Sequence, residues 1–189
     1  MRRYVVPWIV CLALFGCTQF TLVEAKRQTI GTAYSVAAQR QWNRLKEGGF
    51  ELWTADGPGL ESLRFYAGLK DGGRLFKPRS GSSDEETLPK YRSDMTVTEI
   101  MEFVVDSLTR SGASQVEGHD LRPAAFGSAE GFRFELSFAS ATGLHYRGAA
   151  IGAVVGDRLD LIIYSGTELY YFPRYRDDAE RLFASIQLI

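Results

Sequence analysis

Gly131-Phe132-Arg133-Phe134-Glu135-Leu136-Ser137-Phe138 is the stretch that decides the fold. Three rings and a leucine recur at every second position with charged or small polar residues between them. A period of two belongs to a β-strand, and a side carrying that much apolar surface has to be core. Downstream, His145 to Val155 and Leu159 to Tyr164 form a strand pair joined through Gly156-Asp157, whose first-position glycine suits a tight hairpin turn. Gly148, Ala149, Ala150, Gly152 and Ala153 leave the first of these with little side chain, which predicts a central strand that a helix approaches closely. The chain closes over Asp177 to Gln187, where Ala179, Leu182, Phe183 and Ile186 make a helical stripe. Asp177 and Asp178 are placed to complement the N-terminal dipole of that helix.

Upstream of the deciding stretch the period changes. Val97, Ile100, Met101, Val104, Val105 and Leu108 fall at i, i+3, i+4, i+7, i+8 and i+11, one apolar face of a helix. Thr96-Val97-Thr98-Glu99 fits a capping box, Met95 is positioned to staple to Ile100, and Gly112 suits the left-handed residue past the C-terminus. Earlier still, Phe50 to Thr54 and Leu60 to Ala67 alternate across Asp56-Gly57-Pro58-Gly59 and read as a hairpin with a longer loop. Tyr34 to Leu45 reads as a strand with a turn closing at Gly48-Gly49. Lys77 to Lys90, with two prolines and the tract Ser80-Gly81-Ser82-Ser83-Asp84-Glu85-Glu86, has no period and is predicted to be an exposed loop. Strand runs with one helix between them and another at the end predict an α+β domain: a mainly antiparallel sheet covered by helices.

The chain has 189 residues, 45% of them hydrophobic, enough for one domain with a sizeable core and incompatible with disorder, collagen or coiled coil. Its 22 Lys+Arg against 23 Asp+Glu give a net charge of −1, so no electrostatic surplus is available for nucleic acid. The N-terminus reads as an export signal. Arg2 and Arg3 supply the positive region and Val5 to Phe15 an apolar run of eleven residues, too short to span a bilayer. Leu14-Phe15-Gly16-Cys17 at its end resembles the lipobox of bacterial lipoproteins; Phe15 departs from that pattern, which favours a smaller residue there. The resemblance implies residues 1–16 as a lipoprotein signal peptide, Cys17 as the acylated first residue and residues 17–33 as a tether, with a single domain over 34–189. Several acyl chains would hold the protein stably at the membrane by its anchor alone. Thr18, where an Asp would resemble an inner-membrane retention signal, implies the periplasm-facing outer membrane. The alternative is a soluble periplasmic or secreted protein after cleavage at Ala25. Cys11 and Cys17 are the two cysteines, so the folded body holds no disulfide.

The order of elements, with the Met95 to Leu108 helix, the Gly131 to Phe138 and Leu159 to Ser165 strands and the ending Ala184-Ser185-Ile186, resembles the PsbP-like fold. That group includes an extrinsic photosystem subunit, a nuclear-transport factor and many bacterial envelope lipoproteins. The resemblance implies an α/β/α sandwich and a small noncatalytic module that works by docking.

No HExxH, CxxC, P-loop or G-x-S-x-G pattern occurs. Glu117, His119 and Asp120 offer carboxylates and one imidazole, a poor zinc set, and read as an exposed polar loop; they are the residues on which an envelope hydrolase would depend. No metal or cofactor is expected. Tyr170-Tyr171-Phe172-Pro173-Arg174-Tyr175-Arg176 is the strongest candidate for contact with a partner, because Tyr and Arg combine buried area with hydrogen bonding at interfaces. Tyr170, Tyr171, Arg174, Tyr175 and Arg176 are therefore the candidate residues for docking an envelope protein. The sequence reading is an envelope-anchored, noncatalytic binding or accessory lipoprotein. The alternative is a small-ligand carrier or sensor with a pocket beside Trp42 or Trp53.

Overall fold

The computed structural model describes residues 20–47, 49–76 and 88–189. The lipobox with Cys17, and residues 77–87 of the expected loop, lie outside the described residues. Strands β1 (Thr21–Val23), β4 (Trp42–Glu47), β5 (Phe50–Thr54), β6 (Glu61–Leu69), β7 (Ser114–Phe126), β8 (Ala129–Ala139), β9 (His145–Val155) and β10 (Arg158–Thr167) form one antiparallel sheet. Its order is β1-β4-β5-β6-β10-β9-β8-β7. A second sheet of β2 (Arg27–Ile30), β3 (Tyr34–Ala37) and β11 (Gln187–Leu188) runs in the order β11-β3-β2. Helix α1 (Val97–Arg110) covers one face of the large sheet, and helix α2 (Tyr171–Ala184) with the small sheet covers the other. Among the described residues the layering is thus dominated by sheet, with one helix per face and a small sheet where a strict α/β/α sandwich would have more helix.

The alternation that decides the fold partitions the core as expected. Phe132, Phe134 and Leu136 pack under Ile100, Phe103, Val104 and Leu108 of α1, on one side of β8. On the other face, Trp42, Trp53, Phe65, Ile162 and Tyr164 pack against Phe172, Tyr175, Ala179, Leu182 and Phe183 of α2. The small residues of β9 serve both sides, Ala149 and Ala153 toward α2 and Ala150 toward α1. Thr96 and Glu99 form the full capping box at the start of α1, and Gly112 takes the left-handed conformation (φ 104°) past its end.

Four sequence expectations are corrected. The segment expected to be a tether, residues 17–33, is not one over its described part: β1 and β2 lie within it, each held by a single deeply buried residue, Val23 and Ile30, too few to generate a visible period. Tyr34 to Leu45 is not one strand; β3 and β4 belong to different sheets, with the chain crossing between them at Ala38 to Gln41. Glu117, His119 and Asp120 stand in β7, not in a loop, where register shifts against β8 and left-handed backbone at Gln115 and Asp120 interrupt the alternation. Finally, α2 begins at Tyr171, six residues before Asp177, so Asp177 and Asp178 sit within the helix, and α2 ends at Ala184. Pro173 is compatible with that start because the first backbone N–H groups of a helix have no intrahelical acceptor to lose.

The register fixes two ends of the large sheet. At the upper end lie the β5–β6 loop, the β8–β9 loop and the segment entering α2; at the lower end lie the β7–β8 and β9–β10 turns. Strand β1, on the outer edge, runs toward the upper end, with Thr21 level with Arg44, Trp53, Leu63 and Tyr164 across the sheet.

Candidate functional site

The candidate site is built at the upper end, around the head of α2. Gly166 places the helix: a Cβ there would lie 2.7 Å from the backbone nitrogen of Phe172, so only glycine lets α2 start directly against β10. The buried Tyr164 hydroxyl stands 2.9 Å from the carbonyl oxygens of both Tyr171 and Phe172 and donates to them. Burial, reinforced by the charge of Glu61, holds that phenol far above its ordinary pKa and therefore in the donating form.

Glu61, 1% exposed, organises the facing β5–β6 loop. Its carboxyl accepts from the Thr54 hydroxyl (2.7 Å) and the backbone N–H groups of Ala55 (2.6 Å) and Asp56 (2.9 Å). Burial raises its pKa, against those hydrogen bonds. The loop so fixed presents Asp56, whose carboxylate accepts a hydrogen bond from the Tyr175 hydroxyl and lies 4.0 Å from Arg174. Burial and the bond to Asp56 push the Tyr175 phenol upward.

Around this link, rings and guanidiniums alternate. Arg174 lies over the rings of Tyr170 (5.4 Å) and Tyr175 (5.2 Å), and its Nη1 donates to the Tyr170 hydroxyl at 2.7 Å. Arg40 lies over Tyr175 (4.6 Å) and Trp42 (5.6 Å) and pairs with Asp178 at 3.6 Å. Each such cation–π contact is worth about 0.5–1 kcal/mol at an exposed site and more when desolvated. The ladder runs from solvent into the core: Tyr170 is 56% exposed and Tyr175 and Trp42 are each 1% exposed. Leu169, just before it, is 94% exposed.

A second charged group borders the same helix. Arg147 and Arg176 reach Glu135 at 3.4 and 3.5 Å, both lie over the ring of Phe172, and Arg133 pairs with Glu180. His119, Asp120 and Glu135 offer ligand atoms within 4.8 Å of one another, with His119 Nδ1 3.1 Å from the Glu135 carbonyl. Both oxygens of the Glu135 carboxylate already face a guanidinium, so a cation there would compete with Arg147 or Arg176.

The proposed docking residues are thus divided. Tyr170, Arg174 and Arg176 are exposed, Tyr171 is half-buried and Tyr175 is core. His119 and Asp120 come together with Glu135, and Glu117 is not part of that group. Trp42 and Trp53 (1% and 0% exposed) are packed in the core. Sequence reasoning missed Asp56, Arg40, Glu61 and Gly166. Asp56 stands 119 residues before Tyr175 in the chain, and no local pattern pairs such residues with the ring cluster. Leu169 was readable as an isolated leucine next to the cluster.

The antiparallel sheet and its two helices define a small α+β protein with a PsbP-like fold. It is similar to the solution structure of cyanobacterial PsbP (CyanoP) from Synechocystis sp. PCC 6803, with a TM-score of 0.51 and 9% identity over 93% of this chain and 96% of that one. A crystal structure from Bacteroides thetaiotaomicron VPI-5482 matches with the same TM-score at 12% identity over 88% of this chain; the chain spans about half (49%) of the Bacteroides protein. LpqN, involved in cell envelope biogenesis of Mycobacterium tuberculosis, overlaps at a TM-score of 0.36 and 9% identity, covering 93% of this chain and 87% of LpqN, too loosely to carry an argument. No protein-family model and no curated protein sequence matches. Among the described residues, no helix is long and apolar enough to cross a membrane.

Proposed function

We propose that the protein is an envelope-anchored lipoprotein, acylated at Cys17, that acts as a noncatalytic docking module through the head of α2. The observation that carries this reading is the pair Leu169 and Tyr170, 94% and 56% exposed, standing on a helix start that Gly166, Glu61, Asp56 and Arg174 hold in place. A large apolar side chain displayed on a rigid support gains area on binding at low entropic cost, and the adjoining Tyr and Arg supply hydrogen bonds. The export signal and lipobox resemblance support the envelope location, and the partner in this reading is another envelope protein.

The test is affinity purification from crosslinked intact cells, comparing the natural chain with the double variant Leu169→Ser, Tyr170→Ala. Both side chains are exposed, so circular dichroism should match that of the natural chain, with a small fall in thermal midpoint from loss of the Arg174 contact to Tyr170. A near-stoichiometric partner recovered with the natural chain and lost with the variant is the expected result. Equal recovery from both would remove the α2 head as the docking surface.

A further inference from the structure

The β1 edge constrains how an anchored molecule sits. Four residue steps separate Cys17 from Thr21, and even a fully extended chain covers only about 14 Å in four steps. The strand cannot be unravelled cheaply to lengthen this tether. Val23 is 1% exposed and packs in the core with its register partner Trp42, and the Thr21 hydroxyl accepts from Arg44 Nε at 3.2 Å. Because side chains alternate along a strand, Val23 toward the α2 face puts Leu22 on the opposite face of the sheet, and Phe20 is two residues before it. Both are large apolar side chains left open, Phe20 at 42% and Leu22 at 59% exposure. The exposed tip of the α2 head, Leu169 and Tyr170, is elsewhere in two respects: the helix it leads into packs on the other face of the sheet, and the tip follows the upper end of β10, whereas the ladder behind it reaches Trp42 beside β1. Four strand spacings separate β1 from β10, about 19 Å across the sheet.

We infer that the β1 edge is a lipid-facing surface: Phe20 and Leu22 lie against the bilayer that holds the acyl chains of Cys17, and the α2 head is displayed on the side away from it. The inference rests on reading Cys17 as the acylated residue. Exposed apolar side chains this close to an acyl anchor meet the interfacial region, where burial of apolar area is favourable and adds to the hold of the anchor. The site displayed outward is then free to meet a protein partner in the aqueous compartment.

The test uses the full chain matured in a bacterial host. Because Cys11 is removed with the signal and Cys17 is blocked by acylation, an introduced cysteine is the single free thiol. Leu22→Cys and Leu169→Cys, both at exposed positions, are labelled with bimane and reconstituted in phosphatidylethanolamine and phosphatidylglycerol vesicles carrying a nitroxide lipid. Intact mass of each preparation reports acylation separately. With acylation confirmed, quenching at position 22 several-fold stronger than at position 169 is the expected result. Equal quenching at both, or stronger quenching at 169, overturns the orientation while leaving the anchor intact. A mature chain without acyl mass at Cys17 overturns the anchor and the inference with it.

Discussion

Helices α1 and α2 each bury five side chains on opposite faces of one sheet, yet the two faces are built from different materials. Under α1 the contacts are aliphatic and aromatic: Ile100, Phe103, Val104 and Leu108 against Phe132, Phe134, Leu136 and Ile163. Under α2 a comparable apolar layer is bordered by guanidiniums stacked on Tyr170, Phe172, Tyr175 and Phe183 and paired with Asp56, Glu135, Asp178 and Glu180. A face held mainly by apolar burial needs little partner geometry beyond volume. A face that fixes the direction of charged and aromatic groups uses its interactions for orientation, and its exposed end displays Leu169 and Tyr170. The contrast separates a stabilising face from a presenting one.

Substitutions sharpen that separation. The largest effect is expected from Phe134→Ala, which empties a fully buried site beside Phe132 on the α1 face; about 3–5 kcal/mol should be lost in urea unfolding. Where the variant remains folded, its partner recovery should be unchanged. Gly166→Ala pushes a methyl into the backbone of Phe172, and an overpacking cost of about 1–3 kcal/mol is expected. Here, in contrast, partner recovery should fall by more than the stability loss accounts for, because the α2 head is displaced. Thr96→Ala removes the cap of α1 and should cost about 1 kcal/mol, with no change in partner recovery. If Thr96→Ala impairs partner recovery as strongly as Gly166→Ala does, the distinction between the faces collapses.

The smallest effect concerns pH. Burial raises the pKa of Glu61, so the folded state holds its proton more tightly than the unfolded chain. The stabilisation from this group is complete below the ordinary carboxylate pKa of 4.5 and is lost as pH rises through the higher folded value. Glu61→Gln carries no such proton, so its thermal midpoint should gain on that of the natural chain as the pH is raised from about 4 upward. A difference between the two that stays constant with pH would contradict this.

How much of this was legible depended on how many buried residues an element carries. Helix α1 shows its stripe and its capping box in sequence because the burial is periodic and the cap is local. β1 and β2 each bury one residue deeply, Val23 and Ile30, and one residue has no period. The early start of α2 did leave a signal: Phe172 and Tyr175 extend the stripe of Ala179, Leu182 and Phe183 backward at helical spacing. Pro173 and the adjacent rings obscured it. Of the site, the Tyr170 to Arg176 composition was visible, while its division into core and surface was not. That division follows from Asp56, Arg40 and Glu61, contacts of long sequence separation that local patterning does not encode, and from the close approach at Gly166.

The most direct measurement is a photo-crosslinking scan in intact cells, with a photoreactive amino acid placed singly at Leu169 and Tyr170 on the α2 head and at Glu102 and Asp106 on α1. One discrete adduct is expected from positions 169 and 170 and none from 102 and 106. The same adduct forming from the α1 positions, or from all four alike, would contradict the claim that the α2 head is the presenting face.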